Sequence, residues 1–241
     1  MLALVVFGCR SCETIDSSKL DPSEIHQTYN VTSSPDGTSV DATFRVSGPT
    51  GTTIALVPPS KVEYNGQPMT ENLRTMISGT YYSAGSSTFV GTHNFILTDS
   101  RGRRFSSSAD FAPVEITNGS FDIKRNEPFE VTLSRPLGKN ESAVLKLVSE
   151  IESMPTGNTS KGNANRPSEM TPDHAKDIHT SLASDGKTLV VEKDTLGNFV
   201  PGKAKLAVEI SASSQVPENG TKGGVLSYTI VSRQIGVNVL K

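Results

Sequence analysis

Apolar and polar residues alternate along this chain over short stretches, and no stretch sustains the helical period. Ile25, Gln27, Tyr29 and Val31 share one side of an extended segment. Ser34-Pro35-Asp36-Gly37 follows, a turn signature in which proline presets φ and glycine accepts a positive φ. Val40, Ala42, Phe44 and Val46 then alternate with polar residues, so residues 25–46 predict a hairpin with one buried face. The same grammar recurs. Thr53 to Val57 reads as a short strand closed by Pro58-Pro59, and Lys61–Tyr64 runs into Asn65-Gly66, the strongest two-residue hairpin signal. Phe89-Val90 and Phe95-Ile96-Leu97 flank His93, ahead of a turn at Asp99–Gly102 and a return through Arg103-Arg104-Phe105. Phe111 to Ile116 closes this first set.

A second set begins at Phe121-Asp122-Ile123. Phe129, Val131 and Leu133 alternate, Ser134 to Asn140 is a loop, and either Val144/Lys146/Val148 or Ala143/Leu145/Leu147 supplies the buried face of the next strand. Asp185-Gly186 marks a turn before Leu189-Val190-Val191, and Phe199 to Ile210 reads as a corner feeding a strand. Leu226, Tyr228 and Ile230 lie in the opposite register from Ile235, Val237 and Val239, which predicts a bulge or sheet switch within Val231–Gln234. One segment breaks the rhythm: residues 153–172 are too polar and too rich in Gly, Pro and Asn for a strand, and Asp173–His179 behind them predicts a helical turn or two.

Short strands with turns at regular spacing mean an all-β fold. The length, 241 residues, suits two antiparallel β-sandwich domains in tandem, 25–117 and 118–241, the second carrying the polar loop 153–172. The body resembles tandem immunoglobulin-like or fibronectin-III-like domains of bacterial surface proteins, most specifically at the Phe199–Ile210 corner.

Residues 1–9 stand apart. Met1 to Gly8 is an uncharged apolar run too short to span a bilayer, and it ends in Gly8-Cys9. It resembles a bacterial lipoprotein signal. That resemblance implies a lipidated Cys9, a membrane partner, and a place in the bacterial cell envelope, at the outer membrane or cell surface. Several acyl chains, each buried CH₂ contributing roughly 0.8 kcal/mol, would hold the protein there almost permanently. Residues 10–24 are polar and aperiodic and read as a flexible tether.

Composition narrows the functions. There are 23 basic and 25 acidic side chains, net charge −2. That gives no basic excess for a nucleic-acid partner. Cys9 and Cys12 are the only cysteines, so the body has neither a disulfide nor a thiolate metal site. Asp173, His174, Asp177 and His179 are the one group with metal-ligand residue types, and solvated side chains explain them better. There is no GxSxG elbow and no phosphate loop, and His26, His93, His174 and His179 have no nucleophile signature beside them. The chain reads as non-catalytic and without a cofactor. Its role is structural or adhesive, or alternatively that of a glycan or small-ligand binding module with a protein or glycan partner. The chain has no Trp, so a sugar platform falls to tyrosine or phenylalanine. Tyr81 and Tyr82 are the best pair, although neighbours on a strand face opposite ways. Arg101, Arg103 and Arg104 at a hairpin tip are the candidate contacts for an anionic partner.

Overall fold

The computed structural model describes residues 14–74, 79–150 and 174–241. Cys9, Cys12, Asp173 and the loop 153–172 lie outside the described residues. Apart from two single-turn 3₁₀ segments, Ser17–Lys19 and Pro22–Glu24, every regular element among the described residues is a strand. In chain order these are β1 (Ile15–Asp16), β2 (Ile25–Ser34), β3 (Gly37–Val46), β4 (Ile54–Ala55), β5 (Lys61–Tyr64), β6 (Gln67–Pro68), β7 (Thr70–Arg74), β8 (Gly79–Ser86), β9 (Thr92–Thr98) and β10 (Arg104–Asp110). Then come β11 (Phe121–Lys124), β12 (Phe129–Thr132), β13 (Ser142–Ser149), β14 (Ala175–His179), β15 (Ser181–Leu182), β16 (Thr188–Val191), β17 (Gly202–Val216), β18 (Gly224–Val231) and β19 (Ile235–Leu240). The fold is all-β, and no helix among the described residues is long and apolar enough to cross a membrane.

The chain forms two compact units, one of Met1–Ala112 with Ala212–Thr229, the other of Pro113–Ser211 with Ile230–Lys241. The first passage between them falls between Ala112 and Pro113. Nothing in the alternation announces the return of residues 212–229, because β17 and β18 run through the later passages without a turn signal.

In the first unit β18, β2, β3, β8 and β7 are neighbours in one sheet, and β10, β9, β5 and β6 in another. Their inner faces meet through aromatic rings. Tyr29 of β2 stacks on Phe95 of β9 with centroids 4.2 Å apart and planes 24° apart, while Phe44 meets Tyr29 edge-on at 6.2 Å. Such pairs add about 0.5–1.5 kcal/mol beyond the area they bury. The β2–β3 hairpin has the expected two-residue loop, with Ser34 opposite Gly37. Asn65 and Gly66 have φ of 46° and 79°, the left-handed pair that a tight hairpin needs. Gln27, a polar residue on the inner face, is satisfied there: its amide nitrogen donates to Thr221 Oγ1 at 2.8 Å and its carbonyl oxygen accepts from the Tyr29 hydroxyl at 2.7 Å.

The expectation of a free tether over residues 10–24 fails for 14–24. The Ile15 N–H donates to the Thr53 carbonyl at 2.9 Å, β1 pairs in parallel with β4, and Ser17, 1% exposed, accepts from the Val57 N–H. Aperiodicity hid this because the segment is held through backbone groups and small side chains, which leave no hydrophobic period.

In the second unit β11, β19, β17, β13 and β14 share a sheet, and β12, β16 and β15 form another. Leu145 and Leu147 are fully buried, which decides the β13 face, and Phe199 at the corner before β17 is buried as well. The register conflict near the C-terminus resolves as a break between β18 and β19, where Ser232 Oγ accepts from the Val208 N–H. The helix expected at Asp173–His179 is instead β14, paired antiparallel to β13 with Ile178 opposite Leu145. Ile178, fully buried, faces the core where a helical period would need further apolar partners.

Gly224 tests the seam between β18 and β2. A methyl group added there would sit 1.8 Å from the Gln27 carbonyl oxygen. Gly224→Ala is therefore expected to cost about 3 kcal/mol or more in chemical denaturation. Gly66→Ala, at φ 79° with open space around it, should cost only about 1–2 kcal/mol. Equal losses would contradict this packing.

Candidate functional site

The turn after β9 is organised by one carboxylate. Asp99 is 1% exposed, and its Oδ1 accepts the backbone N–H groups of Arg101 and Arg103, each at 2.8 Å. Its Oδ2 accepts Arg103 Nε at 2.8 Å. Burial raises the Asp99 pKa, but the Arg103 side chain and the two N–H donors outweigh that and hold it below the ordinary carboxylate value. Arg103 is thereby aimed: its guanidinium lies 5.6 Å from the centre of the Phe105 ring.

Beside this turn the first unit has a polar groove of about 360 Å³. It is lined by Arg103, Arg104, Phe105, Ser106 and Ser107 from β10 and its approach, by Gln27 from β2, and by Val216, Pro217, Asn219 and Thr221 from the β17–β18 connection. The volume falls within the range of small-ligand sites. Its lining residues are two arginines, serines and a threonine, a glutamine and an asparagine, one phenylalanine, a valine and a proline, with no acidic residue, histidine or cysteine among them. Arg104 is the more exposed of the two cations. Its side chain is 62% exposed, and its only ion pair among the described residues, with Glu63, is long at 3.6 Å.

The residues singled out in the sequence separate here. Arg103 and Arg104 line the groove; Arg101 turns away and pairs with Asp21 at 3.4 Å. Tyr81 and Tyr82 lie on β8 in the other sheet of the unit. Tyr82 is a core residue: its hydroxyl accepts the Leu56 N–H at 2.7 Å, and burial pushes its pKa up to about 12. Tyr81 is half-buried. Phe105, Gln27, Asn219 and Thr221 were not legible as site residues, since no local motif links positions so far apart. Lys146 pairs with Asp177 at 2.8 Å, and His174 and His179 are exposed. No cluster of three metal-ligating residues occurs among the described residues.

Two further histidines are buried in the first unit. His93, fully buried, shares a 2.9 Å hydrogen bond between Nδ1 and the Tyr64 hydroxyl and packs 4.8 Å from the Phe111 ring. Burial lowers its pKa, opposed in part by the Val90 backbone and Asp110. His26 is lowered by burial and then by Arg45. Both imidazoles hold their protons less tightly in the fold than in the unfolded chain, so as pH falls the unfolded state takes up protons first.

No family model and no curated protein matches this chain. Among solved structures it is similar to the Bacteroides ovatus mixed-linkage glucan utilization locus SGBP-B, in complex with a mixed-linkage heptasaccharide, at 8% identity and a TM-score of 0.26. The match covers 85% of this chain and 53% of that one, so the chain spans about half its length. A likeness at that score carries no argument about the ligand.

Stability is accordingly expected to be full above the unfolded histidine value of about 6.5 and to fall as pH drops from there towards the lowered folded values. Melting temperatures followed across that interval should decline in the parent protein and decline less in His93→Phe. A parallel decline in both would remove His93 from the account. Asp99 acts in a lower window, below about 3.9, where its protonation frees Arg103.

Proposed function

We propose that the protein is a non-catalytic binding module whose groove beside the Asp99 turn takes an acidic glycan segment. One observation supports this above the others: a cation with little other employment, Arg104, shares a ligand-sized groove with hydroxyl and amide groups from three separate parts of the chain. A carboxylate-bearing sugar supplies what those groups lack, an anion for the guanidinium and hydroxyls for Asn219, Ser106 and Ser107. The absence of any acid, imidazole or thiol from the lining favours holding a ligand over transforming it.

The module is displayed on the cell envelope by a lipid on Cys9; the apolar run ending in Gly8-Cys9 supports this part of the reading. An adhesive role is the second reading, favoured by the edge strand β7, where Leu73 is 75% exposed.

Isothermal titration of the full chain with an oligosaccharide of uronic acids tests the groove. Arg104→Ala should weaken binding about tenfold or more, the loss of one charge-assisted hydrogen bond. Arg101→Ala, whose side chain points to Asp21, should leave affinity unchanged. Equal affinities in the parent and in Arg104→Ala would overturn the reading. For the anchor, cells fed a labelled fatty acid should mark the parent protein and not Cys9→Ala, and an unlabelled parent would dismiss it.

A further inference from the structure

The sequence contains three Asn-Gly pairs, at Asn65, Asn118 and Asn219. All three glycines hold nearly the same left-handed backbone, with φ of 79°, 73° and 78°. The glycine conformation therefore does not distinguish them, but the asparagine side chains do. Asn65 is held at both ends, its amide nitrogen donating to the Thr92 carbonyl at 3.0 Å and its oxygen accepting from the Asn94 N–H at 2.8 Å. Asn118 is held likewise, donating to the Glu130 carbonyl and accepting from the Thr132 N–H. The Asn219 side chain is exposed and makes no hydrogen bond among the described residues; only its backbone N–H is engaged, with the Pro217 carbonyl at 3.0 Å.

We propose that Asn219-Gly220 is a self-modification site, where deamidation writes a negative charge into the groove. The Gly220 backbone nitrogen attacks Asn219 Cγ. The new N–Cγ bond forms as the Cγ–Nδ2 bond breaks, and the amide, carrying away the Gly220 proton, leaves as ammonia. Water then opens the five-membered imide at either carbonyl, giving aspartate or isoaspartate. The reaction needs no catalyst, oxidant or co-reactant beyond water. Glycine offers the nitrogen without a side chain in the way, and the free Asn219 side chain can rotate to meet it.

The consequence is electrostatic and local. The only ionisable residues lining the groove, among the described residues, are Arg103 and Arg104, so a carboxylate at position 219 gives them an internal partner. The isoaspartate product also lengthens the main chain by one methylene where Gly220 packs against Phe105, a Cβ there falling 3.0 Å from the ring. This effect on occupancy rests on the groove being the ligand site; the chemistry does not.

Peptide mapping by mass spectrometry tests the site on the full folded chain held in mildly alkaline buffer. The peptide containing Asn219 should gain about 1 Da, as OH replaces NH2, and do so about thirtyfold faster than those containing Asn65 and Asn118, the retardation expected from two hydrogen bonds. In urea the three rates should converge, because the restraint on Asn65 and Asn118 belongs to the fold. Comparable rates in the folded protein, or a difference that persists in urea, would overturn the proposal. Asn219→Gln should abolish the fast acidic variant seen by ion exchange, and its survival in that variant would overturn it equally. In a separate arm, Asn219→Asp should bind the uronic acid oligosaccharide more weakly than the parent. If the freshly made parent does not bind that oligosaccharide at all, the ligand reading falls and the mapping result stands unaffected.

Discussion

A single buried carboxylate ties the architecture of the first unit to its groove. Taking an ion out of water costs several kcal/mol, and that cost is offset only when charge-assisted hydrogen bonds fill its lone pairs. Asp99 meets the condition with two backbone N–H groups and the Arg103 guanidinium. In doing so it fixes the path of the chain from β9 to β10 and the direction of Arg103. Arg103 in turn lies over Phe105, and Phe105 forms one wall of the groove. The charge at the hairpin tip thus serves two ends: it shapes the turn, and it leaves Arg104, one residue on, comparatively free.

Behind the tip, the aromatic stack of Tyr29 and Phe95 joins the two sheets of this unit, and the Tyr29 hydroxyl is anchored by Gln27. Gln27 reaches on to Thr221 in the β17–β18 connection. The polar chain from core to groove ties the far wall to β2. It also explains why a glutamine is tolerated at 1% exposure: each end of its amide has a partner, so no desolvated group is left unpaired.

What the sequence made legible was what local physics controls. Alternation fixed the buried faces of β2, β3 and β19 but left two faces open for β13, and Asn65-Gly66 set its hairpin because only residues at ease with positive φ form that turn. The arginine tip was visible as a cluster of charge. The groove was not, because Thr221 and Asn219 lie more than a hundred residues from Arg103 and carry no pattern of their own. Asp173–His179 misled because one buried residue, Ile178, is too little to separate period two from period 3.6. Residues 14–24 misled because small side chains and backbone hydrogen bonds leave no period at all. Tyr82 looked like a platform by type, and its burial follows only from the strand neighbours opposite it.

The central claim, that the groove beside the Asp99 turn is where the protein meets its ligand, is tested most directly by nuclear magnetic resonance. Backbone amide signals of the full chain would be followed as an oligosaccharide of uronic acids is added. Saturable shifts are expected at residues 103–107, 216–221 and Gln27, with the amides of β14 and β16 unmoved. Shifts centred on the second unit, or on β7 and β8 around Tyr81, would contradict it.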